Sequence, residues 1–241
     1  MFGNMLGWGY GYGMGNYSYF FYMVPAVLIS MLAQSHVQTT FSRYSGMMGS
    51  RGYTGAQAAR MILDRSGLQN VPVEPIAGRL SDNYDPRSGV VHLSGDVFGS
   101  NSVAAVGVAA HECGHAIQHS VDYRPLRWRN AIIPLTQFGS SASVWLVLLG
   151  LVMSFRLLAL AGIVLFSFAV LFQLVTLPVE FNASARALRV LREDAILDEE
   201  ELAGARRVLG AAALTYVAAT LTAFLNLAWL LSLFGNTRRR N

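Results

Sequence analysis

Lysine is absent from this 241-residue chain, so all 18 of its basic residues are arginine. The arginines lie near the ends of apolar runs rather than in one basic stripe, which suits lipid headgroups and argues against a nucleic-acid partner. Charge of either sign is scarce. Only 13% of residues are charged while 53% are hydrophobic, more apolar surface than one soluble core of this size hides. The single cysteine, Cys113, excludes an intramolecular disulfide framework and leaves the redox compartment undecided. Met1–Tyr19 has no Lys or Arg, so it lacks the basic n-region of a secretory signal and the first apolar run is expected to be retained. Rich in Gly and Tyr, residues 1–18 are expected to form a disordered tail.

Apolar residues are present in long uninterrupted runs, four of which are judged against the roughly 20 residues needed to cross a hydrocarbon core. The first, Tyr19–Leu32, is short and contains Pro25, but Tyr19, Phe20, Phe21 and Tyr22 suit an interfacial belt. The second, Ile133–Ser154, and the third, Leu157–Leu177, are separated by little more than Phe155 and Arg156, so residues 131–178 read as a transmembrane hairpin limited by Pro178. The fourth, Val208–Phe234, ends before Arg238, Arg239 and Arg240, and its small residues permit close helix packing. The expected fold is therefore a mainly α membrane protein with about four transmembrane helices and a small α+β domain. Its boundaries are a tail at 1–18, a first crossing at 19–34, the α+β domain at 35–130, the hairpin at 131–178, a loop and helix at 179–207, a last crossing at 208–234 and a basic tail at 235–241.

Chemistry belongs in the one long polar region, Ser35–Asn130. Thr54 followed by Gln57 opens a helix with Ala58, Met61, Ile62 and Leu68 on one face and Gly67 near its end. Val71–Ile76 and Val90–Leu93 read as strands, the second beside the turn Asp85-Pro86-Arg87-Ser88-Gly89. Asn101 or Ser102 then caps an apolar helix that leads into His111 and continues to His119. That helix is too short to span a bilayer and is expected to be a buried core helix.

His111-Glu112-Cys113-Gly114-His115 lies on this helix. Residues four apart share a helix face, so two imidazoles there can grip one zinc ion, and the intervening glutamate sits beside the metal as a general base. Chance is a poor account, because three of the five histidines fall within nine residues on an apolar helix where unpaired Glu and His are costly to bury. His119 is an unsuitable third ligand, since eight helical residues advance about 12 Å. Glu180 is the better candidate: a helix after Pro178 puts Glu180, Ala183 and Ser184 on one face, with small residues allowing close approach.

These residues, together with Leu177-Pro178-Val179-Glu180-Phe181-Asn182-Ala183-Ser184, Tyr84-Asp85-Pro86-Arg87 and Ala212-Ala213-Leu214-Thr215-Tyr216-Val217-Ala218-Ala219, resemble the neutral zinc metallopeptidases of prokaryotic membranes, the YugP-like family. The resemblance covers nearly the whole chain after the tail. It implies a gluzincin-type site related to those of HtpX-like and prenyl-protein membrane proteases, with His111, His115 and Glu180 as Zn2+ ligands and Glu112 as base. Asn182 stands where such families commonly have an acid, and Cys113 where an apolar residue is usual.

His119, Asn182 and Ser184 are candidates for hydrogen-bonding the ligands, and Arg186 is a candidate for stabilising the transition-state oxyanion. Val90–Leu93 could bind an extended peptide by edge pairing, while His92 is not expected to be a ligand. The expected partners are a protein or peptide substrate, membrane proteins included, and the lipid bilayer.

Two other readings compete. An intramembrane protease would need a ligand Asp in a later span, and no Asp occurs between Asp122 and Asp194. A noncatalytic metal-binding adaptor would gain nothing from Glu112. Arg186, Arg189, Arg192, Arg206 and Arg207 favour a cytoplasmic active site in a multi-pass protein. The acidic run from Asp198 to Glu201 is expected to start a helix leading into the last span.

Overall fold

A computed structural model describes residues 10–238. In chain order the elements are α1 (Tyr10–Ser45), α2 (Gly55–Arg65), β1 (Val73–Ile76), β2 (Asn83–Asp85), β3 (Val90–Ser94), α3 (Gly95–Phe98), α4 (Val103–Ser120), α5 (Arg124–Val152), α6 (Arg156–Glu193) and α7 (Glu199–Arg238). The protein is mainly helical with one small sheet. By length and composition three helices can cross a membrane among the described residues, namely Tyr19–Ser45, Arg156–Glu193 and Glu199–Gly235. The remaining expected crossing, Ile133–Ser154, falls on α5 as far as Val152, where the apolar stretch among the described residues is Ala142–Val152.

Several helices outrun the segments read from composition. Residues 10–18, expected to be a disordered tail, belong to α1, and residues 1–9 lie outside the described residues. No proline interrupts the chain before Pro25, so the turns of the apolar segment propagate backwards as well as forwards to Ser45. Pro178 limits the third apolar run but not the helix, since α6 passes through it to Glu193. A proline removes one i→i−4 hydrogen bond, which a helix packed on other helices tolerates. The expected loop and helix at 179–207 comprise the end of α6, a turn, and the start of α7. Of the basic C-terminal tail, residues 235–238 are helical and 239–241 lie outside the described residues.

The chain divides into two compact units. The first comprises residues up to 32, 131–174 and from 217 onwards. Its core is formed by Val147, Ile163, Phe166, Val170, Ala223 and Leu230. The α5 and α6 backbones approach so closely that a β-carbon on Gly162 would lie 2.6 Å from the Ser143 carbonyl oxygen.

The second unit comprises 33–130 and 175–216. Thr54 caps α2 with the expected reciprocal box, its hydroxyl accepting from the Gln57 N–H while the Gln57 side chain accepts from the Thr54 N–H. The sheet order is β1-β3-β2, with β1 parallel and β2 antiparallel to β3. Asp85 builds the β2–β3 turn, accepting the Arg87 N–H and the Ser88 hydroxyl, both at 2.9 Å; those hydrogen bonds hold its carboxyl below the usual range. Because β3 is paired on both sides, Val90–Leu93 has no free edge for a peptide, a correction to the sequence reading; His92 is opposite Glu74 on one side and Asn83 on the other. Beneath the sheet, Ile62, Leu63, Val91, Leu93, Val103, Leu191 and Leu202 form part of the core that immobilises α4.

Candidate metal centre

The helix that carries the site is fixed at its start and along one side. Ser102 caps α4 by accepting the Ala105 N–H. Val103, Ala104, Ala105, Val106, Ala109 and Ala110 are buried, so the apolar half of the helix forces the remaining face, with His111 and His115, toward a polar cavity. The two imidazoles stand edge to face, ring centroids 4.8 Å apart.

Glu180 comes to them from α6. Its Oε2 lies 3.3 Å from His111 Nε2 and 3.4 Å from His115 Nε2. One ligand atom from each of the three residues falls within 4.8 Å of the others. For zinc bonds of about 2.0–2.1 Å the edge of a ligand tetrahedron is about 3.3–3.4 Å, which the two nitrogen-to-oxygen distances match. The other carboxylate oxygen, Oε1, faces Arg129 Nη1 at 3.3 Å, whereas Oε2 is buried without a hydrogen-bond partner. A buried carboxylate oxygen lacking a hydrogen-bond donor, flanked by two imidazole nitrogens, is chemically suited to a divalent cation.

The far side of each imidazole is also held. His115 Nδ1 is 3.1 Å from Gln118 Oε1, and Gln118 Nε2 donates to the Val179 carbonyl at 2.8 Å and to Asn182 Oδ1 at 3.0 Å. Both of those neighbours are acceptors, so the amide must turn its oxygen to His115, and Nδ1 must carry the proton. That leaves the Nε2 lone pair free for a metal. His111 Nδ1 is likewise 3.1 Å from Ser184 Oγ.

Glu112 is buried beside this group. It lines a cavity of about 140 Å³ together with His111, His115, Glu180, Arg129, Tyr216 and Asp82. Burial raises its carboxyl above the ordinary range, with the two histidines acting in the opposite sense. Burial also lowers His115, but the carboxylates of Glu180 and Glu112 outweigh it and the net shift is upward. Cys113 faces away, its thiol pushed up by burial and directed to the Ala59 carbonyl at 3.6 Å; it behaves as a small core residue.

The remaining sequence candidates fall out differently. Ser184 reaches His111. Asn182 meets no histidine directly and connects to His115 through Gln118. His119 Nδ1 is 2.7 Å from the hydroxyl of Tyr84, a residue on the cavity wall. Arg186 does not line the cavity, and its Nε donates to Asn182 Oδ1 at 2.8 Å.

Sequence reasoning missed Gln118, Arg129 and Tyr216. Gln118 was within reach, being three residues beyond His115 on the same helix face. Arg129 carries no local signal, and Tyr216 sits beside Thr215 in a run whose small residues suit helix packing. Beside them, Asn83, Tyr84 and Pro86 from β2 and its turn also line the cavity, so β2 supplies the strand next to the triad.

A model of the family described as "Putative neutral zinc metallopeptidase" matches residues 19–235. The chain is 45% identical over 221 residues to "Putative membrane protease YugP" of Bacillus subtilis (strain 168), an overlap of 92% of this chain and 98% of that one. No solved structure matches it.

Proposed function

Because the chain belongs to the neutral zinc metallopeptidase family, we propose that it is a multi-pass membrane metalloendopeptidase that uses His111, His115 and Glu180 to hold Zn2+ and Glu112 as general base. The observation that carries this reading is the convergence of the three donor atoms on the cavity that Glu112 also lines. Zinc held there supplies Lewis acidity that acidifies water and polarises a carbonyl near neutral pH.

The chain's own residues then divide the work. Glu112 takes the proton of the attacking water and returns it to the leaving amine, and the burial that raises its carboxyl favours its holding that proton between the two transfers. Gln118 and Ser184 fix the two imidazoles through Nδ1. Arg129 steadies Glu180 through Oε1. Arg129 and Tyr216, both on the cavity wall, are better placed than Arg186, which does not line it, to stabilise the negative charge that develops on the carbonyl oxygen. The arginines at 186, 189, 192, 206 and 207 favour a cytoplasmic active site, and the substrate is a protein or peptide.

The test is to purify the full chain in detergent, measure zinc stoichiometry, and compare digestion of a casein-like unfolded protein by wild type and Glu112→Gln. One zinc per chain in both, with proteolysis by wild type alone, is the expected outcome. Equal digestion by the two would remove Glu112 as base, and zinc bound with no digestion by either would favour the noncatalytic adaptor.

A further inference from the structure

Three cavities in the second unit share walls and run in series. The first holds the triad and Glu112. The second, of about 240 Å³, has Asp82, His111, Glu112 and Tyr216 in common with the first, so it begins at the proposed base. Its other walls are largely apolar: Val37 and Phe41 from α1, Leu80 from the β1–β2 loop, Val108 from α4, Val208 and Leu209 from α7. The third, of about 840 Å³, shares Gln34, Phe41 and Leu80 with the second and is otherwise polar, lined by Gln38, Ser42, Ser45, Arg79, Asp96 and Ser100.

We infer that the middle cavity binds an apolar side chain of the substrate next to the scissile bond, and that the outer cavity receives polar residues adjoining it. The inference rests on the peptidase reading and names its substrate class: polypeptide segments in which a leucine- or phenylalanine-like residue is followed, on one side, by polar sequence. A charged side chain entering the middle cavity would lose its hydration against walls that cannot replace it. Size is discriminated there too, since one methylene in an apolar pocket changes turnover by about 10- to 200-fold.

Leu80 is the wall residue that sets this preference. Phe41 and Leu209 are 6% and 2% exposed and belong to the core, whereas Leu80 is 40% exposed and lines both the middle and outer cavities. It sits at φ 51°, two residues after Gly78 at φ 106°, a left-handed conformation that aspartate and asparagine adopt more readily than leucine. Leu80→Asp therefore changes the wall without straining the loop.

The experiment uses the full-length zinc-loaded protein and quenched-fluorescence peptides of Ser, Gln and Asn containing one variable residue, Leu, Phe, Ala, Asp or Arg, with cut sites mapped by mass spectrometry. Wild type should cut beside Leu or Phe at least about tenfold faster than beside Asp or Arg. Leu80→Asp should lose about tenfold on the Leu and Phe peptides and gain on the Arg peptide, and Leu80→Ala should flatten the series. Melting temperatures establish that both variants are folded. Cleavage that needs Glu112 but shows no side-chain preference, or a preference indifferent to both Leu80 variants, overturns the pocket and leaves the peptidase standing. Absence of cleavage of every peptide and of casein overturns the peptidase reading and the pocket with it.

Discussion

Gly114 and Ala183 bring α4 and α6 together backbone to backbone: a β-carbon on Gly114 would lie 2.6 Å from the Ala183 carbonyl oxygen and 3.2 Å from its α-carbon. Gly114 immediately precedes His115, and Ala183 is three residues past Glu180 on the same helix. This contact therefore sets the distance between the histidine pair and the carboxylate. Gly114→Ala should force the helices apart, costing about 1–3 kcal/mol of stability as overpacking and weakening zinc binding by roughly tenfold or more. Differential scanning fluorimetry and chelator competition measure the two effects, and wild-type zinc affinity in this variant would show that the donors do not depend on the contact.

Gln118 is fully buried and ties His115 to both Val179 and Asn182 of α6. Truncating it to alanine frees the His115 ring and leaves the Val179 carbonyl without this donor. Zinc affinity should fall by about 10- to 100-fold, read by competition with a chelator of known affinity. Ser184→Ala should cost less, because His111 keeps its place on α4 and loses a single hydroxyl partner. An affinity unchanged in Gln118→Ala would show that the imidazole is oriented by packing alone.

What could be read from the chain beforehand is what repeats locally. The capping box of Thr54 and Gln57, the cap at Ser102, and the pair His111 and His115 all follow from spacings within one or two turns. Glu180 was reachable because Ala183 and Ser184 mark a close-packing face on its own helix. β2 was not, since Asn83-Tyr84-Asp85 lacks any apolar alternation and exists as a strand only through its pairing with β3. Composition also misplaced the helix ends, because polar turns such as Gln34–Ser45 stay helical when packing in the second unit continues the span. Arg129 and Tyr216 join the site from 51 residues before and 36 residues after Glu180, separations over which no periodicity carries information. Arg186 is near Glu180 in sequence, yet its Nε is bound to Asn182 Oδ1 and the residue does not line the cavity.

Metal removal should separate the donors from the scaffold. Stripping zinc leaves Glu180 Oε2 buried with no hydrogen-bond donor, so the metal-free protein should melt at a lower temperature and regain its melting point on adding zinc. Binding at a thousandfold excess over the dissociation constant stabilises by about 4 kcal/mol. Glu180→Ala, lacking the third donor, should lose most of that zinc-dependent shift. A shift equal to wild type in Glu180→Ala would place the ion elsewhere.

Asp82 offers a test of how burial and hydrogen bonding balance beside the cavity. Its carboxylate accepts the Ser94 N–H at 2.7 Å and the Ser94 hydroxyl at 3.0 Å, yet burial outweighs those bonds and holds the carboxyl above its ordinary value. The folded state thus binds this proton more tightly than the unfolded chain. Its contribution to stability is full below the ordinary aspartate value of about 3.9 and is lost as pH rises through the higher folded value. Asp82→Asn removes the ionisation while keeping an acceptor for Ser94. The melting temperature of Asp82→Asn relative to wild type should therefore rise as pH is raised from about 3 to 7. A difference that stays level across that range, or falls, would mean that the Ser94 hydrogen bonds win and the carboxylate is at least as well accommodated folded as in water.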